Sequence, residues 1–375
     1  MNIIVLGGAG DVGSRAAEEL VGVDSVERVT VADLDLERAG AIARRLDTAR
    51  CEVRAARVDA NDHASLVAAI KGHDIAASAI GPFFRYEAPI VAAALEAGVD
   101  YTSVCDEWDA ADAVFERFAD QAREAGRFVL TGLGTSPGFT NVGVQYLAQD
   151  MDAVQRIEVA VYQPLDAGGG EAVVRHMLHI MNGDVATWRQ GRRQMVPALS
   201  GSRLVEFPRF GKIRVWTMGH AEPVTLPRVI PEVQDVSFSM GYGRGSSWVV
   251  WPARLGLFSR PRLTGLFAKG LLAFEQRTVR TPSEGAVRLD VWGRQDGRDV
   301  HRMACGVGEM REATGVSLAV GALMVGRRQL STDQPGVYAP EGCLEPGRFI
   351  DEMGRRGLQA YEDLAMTRPV GSTPA

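Results

Sequence analysis

From Asn2 to about Thr131 the chain alternates short runs rich in β-branched residues with longer stretches of helical period. Ile3–Leu6, Arg28–Ala32, Glu52–Val58, Ile75–Ser78, Tyr101–Val104 and Arg127–Thr131 predict strands, and Ala16–Val21, Leu36–Leu46 and Pro89–Ala97 predict helices between them. Strands that alternate with helices form a parallel sheet covered by those helices, so residues 1–136 are expected to build a doubly wound α/β domain.

After Gly132-Leu133-Gly134 the rhythm changes. A Pro-Gly turn opens a helix at Phe139–Ala148, and longer alternating runs follow at Ile157–Tyr162, Lys212–Met218 and Val233–Met240. Alternation marks strands with one face on a core, which predicts a strand-rich α+β domain over residues 137–312. Ser317–Val325 reads as a buried helix and Pro346–Gly357 as an amphipathic one, and residues 313–375 are expected to return to the first domain. Arg368–Ala375 reads as a frayed tail.

A chain of 375 residues suits two domains better than one core. Its 41 Lys+Arg and 47 Asp+Glu leave a formal charge of −6, which gives no electrostatic ground for a nucleic-acid or anionic-membrane partner and points to a small molecule. Cys51, Cys105, Cys305 and Cys343 form neither a C-x-x-C pair nor a disulfide framework, so a reducing, cytoplasmic setting is expected. No transmembrane segment is expected, because Arg260, Pro261, Arg262 and Lys269 break the nearest apolar run. The opening Ile3-Ile4-Val5-Leu6 reads as a strand and not as a signal peptide.

Gly8-Ala9-Gly10-Asp11-Val12-Gly13 fits the pattern G-x-G-x-x-G directly after the first predicted strand and at the start of a helix. In that setting Gly8 permits a tight turn, Gly10 lets the backbone approach a pyrophosphate, and Gly13 lets helix and strand pack closely. Asp11 and Val12 complete a loop whose helix N-terminus offers amides to phosphate. A ligand-free βα turn is the alternative; the flanking strand, the helix and a downstream acid favour a dinucleotide. That acid is Asp33, at the end of the second strand, where a carboxylate accepts both ribose hydroxyls of NAD and repels the 2′-phosphate of NADP. Leu34 follows it, and the nearest bases, Arg38 and Arg44, lie on the next helix, so NAD is expected over NADP. Asp33 is also placed to N-cap helix Leu36–Leu46. By position alone, Asp59 and Ala60 belong beside the adenine and Ser78-Ala79-Ile80-Gly81-Pro82 beside the nicotinamide ribose, because ligands of open parallel sheets gather at strand C-termini.

Seven further stretches occur in a specific order. They are Val58-Asp59-Ala60-Asn61-Asp62, Lys71-Gly72-His73-Asp74-Ile75, Gly81-Pro82-Phe83, Leu133-Gly134-Thr135-Ser136-Pro137-Gly138, Met195-Val196-Pro197-Ala198-Leu199-Ser200, Pro208-Arg209-Phe210-Gly211 and Gly336-Val337-Tyr338-Ala339-Pro340-Glu341. Together they resemble the saccharopine dehydrogenase family over nearly the whole chain, and within it the shorter branch that includes L-lysine 6-dehydrogenase. The resemblance implies an NAD(P)-dependent oxidoreductase acting at a carbon–nitrogen bond of an amino acid or amino-acid adduct, as a homodimer. Two departures stand out. Ser103 occupies a place where family members often carry an aspartate, with Asp106 or Glu107 as substitutes, and Trp248–Phe274 has no counterpart in lysine 6-dehydrogenase.

Hydride transfer is cofactor chemistry, so the protein must orient the substrate, exclude water and manage one proton. Asp106 and Glu107, just past the fifth strand, are placed to face the cofactor, where partial burial raises a carboxyl toward the range of a proton carrier. Otherwise they are loop acids, with Asp106 as N-cap of helix Ala110–Arg123. His220, in the turn Gly219-His220-Ala221-Glu222-Pro223 that the resemblance places near the substrate, is the third candidate. His176 and His179 share a helix face, but with no third ligand in register no metal site is expected. A substrate carboxylate needs an arginine, for which Arg85, Arg175, Arg228 and Arg244 are candidates, with Tyr101, Ser103, His176 and Glu222 as further substrate contacts. Two other readings stay open. One is reduction of a carbon–carbon double bond in a lipid or polyketide, motivated by the apolar Trp248–Phe274 segment; the other is a dinucleotide-binding regulatory protein without turnover.

Overall fold

Six strands, β1 (Asn2–Leu6), β2 (Arg28–Asp33), β3 (Glu52–Arg57), β4 (Ile75–Ser78), β5 (Asp100–Ser103) and β6 (Phe128–Thr131), pair in parallel in the order 3-2-1-4-5-6. Each lies within one residue of its predicted bounds at either end. The crossovers that parallel pairing requires are made by helices α1 (Asp11–Val21), α2 (Leu36–Leu46), α3 (His63–Ile70), α4 (Phe83–Ala97) and α5 (Trp108–Glu124). Ile3, Ile4, Val5 and Leu6 are all fully buried, as the central strand of a sheet covered on both faces must be. Strand order reverses between β1 and β4, which opens a crevice at the carboxyl ends of these strands.

The computed structural model describes residues 1–164, 170–243, 247–254, 270 and 283–371. They group into two units, Met1–Phe139 with Arg311–Arg356, and Thr140–Met310 with Gly357–Ala375. In the second unit, helices α6 (Thr140–Ala148), α7 (Gly170–Ile180), α8 (Glu222–Val229) and α9 (Ser247–Arg254) accompany a mixed sheet of β7 (Ala153–Tyr162), β8 (Asp184–Arg189), β9 (Arg192–Pro197), β10 (Ser202–Phe207), β11 (Gly211–Thr217), β12 (Asp235–Gly241), β13 (Glu284–Gln295) and β14 (Arg298–Glu309). Its main path runs 10-11-12-7-13-14, with β7 and β12 parallel and the other pairs antiparallel. Asp296 and Gly297, both at positive φ, join β13 to β14 in the two-residue turn that matches the twist of a hairpin.

Helices α10 (Met310–Gly326) and α11 (Pro346–Arg355) and the short strand β15 (Gly336–Tyr338) complete the first unit, β15 pairing in parallel with β6. Residues 357–371, expected to return with them, instead group with the second unit. Nor do residues 368–371 fray: Tyr361 bridges Cys305 and Pro369, and the buried Val370 donates its N–H to Ala360 O at 2.9 Å. Arg244 and residues 255–269 and 271–274 of the Trp248–Phe274 segment lie outside the described residues. Among the described residues no helix is long and apolar enough to cross a membrane.

Candidate active site

The loop after β1 turns at Gly7, at φ 73°, one residue before the Gly8 expected to permit the tight turn. Gly8 is needed for another reason: a Cβ there would lie 2.8 Å from Val31 Cγ1 and 2.9 Å from Val5 O. A Cβ on Gly13 would sit 2.2 Å from Gly7 O, so glycine alone lets α1 start this close to the strand. Gly10 is the N-cap of α1 and no side chain caps the helix, which leaves the first-turn amides of Asp11, Val12 and Gly13 facing the crevice side of the loop. Such amides, with the positive end of the helix dipole, suit a pyrophosphate.

Asp33, the last residue of β2, accepts the Ala9 N–H at 3.1 Å through Oδ2 and the Asp35 N–H at 3.2 Å through Oδ1. It therefore braces the glycine loop and does not cap α2; that cap is Asp35, whose side chain accepts from Arg38 N–H. Leu34 and Leu36 beside it are exposed, apolar surface next to the acid that would meet the ribose. Asp59 accepts from the backbone and side-chain amides of Asn61, both at 3.0 Å, and these bonds hold its carboxyl below the usual range. Ala60 lies in the same turn. Arg85 is exposed and donates to Asn61 Oδ1 at 2.7 Å in the same turn.

On the other half of the sheet, Ser78 is fully buried at the end of β4 and Ala79, Ile80, Gly81 and Pro82 lead into α4, with Pro82 as its N-cap. Tyr101 and Ser103, expected to touch substrate, are interior residues: both are fully buried, and Tyr101 belongs to the core of this unit. Their hydroxyls reach Glu87 of α4 at 3.0 and 2.5 Å, and Thr131 Oγ1 reaches it at 3.0 Å. Glu87 thus brings a carboxyl to the place where the family resemblance puts an aspartate at 103. Burial pushes this carboxyl up to about 7, against the hydroxyl bonds that lower it. Glu107 is fully buried as well and accepts the Phe84 N–H in the first turn of α4. Glu107, not Asp106, is the N-cap residue of α5; Asp106 is half-buried before it. Burial, with the charges of Glu87, Glu107 and Asp106, pushes the Cys105 thiol well up and keeps it neutral.

In the second unit the turn before α8 gathers three predicted residues. His220 Nδ1 lies 2.6 Å from Glu222 Oε2, and the imidazole stacks flat on Phe238 at 3.8 Å between centroids. His176 of α7 meets it edge-on at 6.4 Å. The Gly219 N–H donates to Ile180 O at 2.9 Å, which ties the turn to the end of α7. A carboxylate at Nδ1 holds the imidazole in one orientation. Arg175 is exposed on α7, and Arg228 is exposed with Nε donating to Val224 O of its own helix.

Residues 3–130 match the family profile described as the saccharopine dehydrogenase NADP binding domain. A carboxynorspermidine synthase of Vibrio cholerae is 26% identical over 282 residues, a match covering 64% of this chain and 64% of that protein, less than two thirds of its length. A carboxyaminopropylagmatine dehydrogenase of Synechocystis is 23% identical over 96% of this chain and 97% of its own. Among solved structures, apo saccharopine dehydrogenase (L-Glu forming) of Saccharomyces cerevisiae has the same fold, with a TM-score of 0.69 at 15% identity over 95% of this chain and 98% of that one.

Proposed function

We propose, for a chain whose residues 3–130 match the saccharopine dehydrogenase NADP binding domain and whose fold is shared with saccharopine dehydrogenase, that it is a nicotinamide-dependent oxidoreductase working at a carbon–nitrogen bond. Its substrate is an amino-acid- or polyamine-derived amine, as the names of its relatives suggest. The observation that carries this reading is the cradle: uncapped α1 amides, glycines at positions a Cβ cannot occupy, and Asp33 at the end of β2. Asp33 favours NAD over NADP, because a 2′-phosphate would meet its charge.

The bound coenzyme would supply the hydride acceptor or donor. The chain's part is the proton. An amine gives up hydride from carbon only with its nitrogen lone pair free, so the ammonium form must first lose a proton, and His220, held by Glu222 at Nδ1, is the base that takes it at Nε2. In the first unit Asp106 and Glu107 are the acids of the loop after β5, and in the second Arg175, one residue before His176, is offered for the substrate carboxylate. A homodimer working in the cytoplasm completes the proposal. The test is a panel assay by nicotinamide absorbance, with amino acids, carboxylated polyamines, imine-forming pairs of oxo acid and amine, and an enone. Turnover of an amine or imine supports the proposal; turnover confined to the enone replaces it with carbon–carbon double-bond reduction.

A further inference from the structure

Glu87 is a fully buried carboxyl with a second fully buried acid, Glu107, close enough to raise its pKa. Its partners are the hydroxyls of Tyr101, Ser103 and Thr131, and among the described residues no ion pair joins it to a cation. A buried carboxylate without a counter-charge is costly, so such a group either holds a proton or awaits a cation. Its position says which cation. Ser103 and Thr131 are the last residues of β5 and β6, and the carboxyl ends of β4, β5 and β6 are where the second nucleotide of a doubly wound sheet lies. In a nicotinamide dinucleotide the charge that appears and disappears at that end is the ring's own, positive when oxidised and neutral when reduced.

We propose that Glu87 is the counter-charge of the nicotinamide end of this site, ionised while the oxidised ring is bound and taking one proton from solvent when the reduced ring replaces it. This rests on the dinucleotide reading above. The hydroxyl cage suits both states: an ionised carboxylate accepts three O–H bonds, and a protonated one donates one and accepts two, because each hydroxyl rotates between the roles. The other titratable groups facing it are the Tyr101 phenol and the Cys105 thiol, both pushed well up and neutral, with Glu107 and Asp106 in the loop after β5. Burial first, and after it the charge of Glu107, opposes a negative charge on Glu87 and pushes its carboxyl up to about 7. Glu87 is thus a positioning residue for charge, acting on the ring through the field.

The test measures the affinities of the full chain for NAD+ and for NADH from pH 6 to pH 8, in the wild type and in Glu87→Gln, which keeps the shape and stays neutral. In the wild type the preference for NAD+ is expected to rise with pH by on the order of tenfold, and a protonated-carboxyl infrared band is expected to fade over the same range. In Glu87→Gln the preference is flat and the band is missing. A wild-type preference that is flat, or one whose slope survives in Glu87→Gln, overturns the proposal alone; failure of the wild type to bind either coenzyme overturns the dinucleotide reading and the proposal with it. Should Glu87→Gln not fold, Thr131→Val removes one hydroxyl that lowers the carboxyl's pKa, and the midpoint must move upward by about half a unit or more. An unmoved midpoint overturns the proposal.

Discussion

Along β2 and β3 the sheet of the first unit ends in acids within reach of solvent, while along β5 and β6 it ends over acids with no exposure. Asp33 and Asp59 accept amide N–H groups of neighbouring turns, and Asp59 is held below the usual carboxylate range by them. Glu87 accepts only hydroxyls and is pushed up to about 7. Amides donate and cannot do otherwise, so they fix a negative charge; hydroxyls reverse, so they tolerate its loss. One end of the crevice thus holds its acids with fixed donors and the other with reversible ones.

Four substitutions sharpen or break this contrast. Gly13→Ala should act most strongly, because the new Cβ would lie 2.2 Å from Gly7 O and the loop must open; NADH affinity by fluorescence titration should fall by more than about 100-fold, roughly 3 kcal/mol. Unchanged affinity would show that the loop does not touch the ligand. Glu87→Gln comes next, through stability. The folded-state carboxyl is raised from 4.5 to about 7, so the folded chain binds this proton more tightly than the unfolded chain does. Glu87 therefore stabilises fully below about pH 4.5 and loses that contribution as pH rises through about 7. Relative to the wild type, Glu87→Gln should be neutral near pH 5 and more stable at pH 8 by up to about 3 kcal/mol in urea unfolding. An equal difference at both pH values would count against a titrating buried acid.

Asp33→Ala should weaken NADH by about 10-fold and NADPH by much less, since removing the carboxylate also removes a repulsion. Equal losses would mean that the acid only braces Ala9. Asp59→Asn should have the smallest effect, under about threefold on either coenzyme, because Asn61 already occupies much of that carboxylate. A larger loss would mark a direct adenine contact.

Much of the contrast was legible in the pattern of residues. The six parallel strands were bounded to a residue because each joins an apolar run to a turn. The start of α4 was missed by six residues, since Pro89 looks like a first-turn proline while the helix in fact begins at Phe83 and runs through it. That error hid Glu87. With the helix extended, Glu87, Ile90, Val91 and Ala94 fall on one buried face at the spacing i, i+3, i+4, i+7, and an acid in such a stripe signals a special site. Tyr101 and Ser103 were misplaced because both faces of β5 are covered, so alternation along it carries no information about exposure. β15 has only three residues, too few for any period. The contact between His220 and Glu222 follows from their standing in one turn, whereas Asp33 and Asp35 exchange the role of cap through a geometry that spacing alone does not settle.

The measurement nearest the central claim is calorimetric titration of the wild-type chain with NADH and, separately, with NADPH. Saturable binding of one coenzyme per chain, with NADH the tighter, is the expected result; no heat with either would contradict the account.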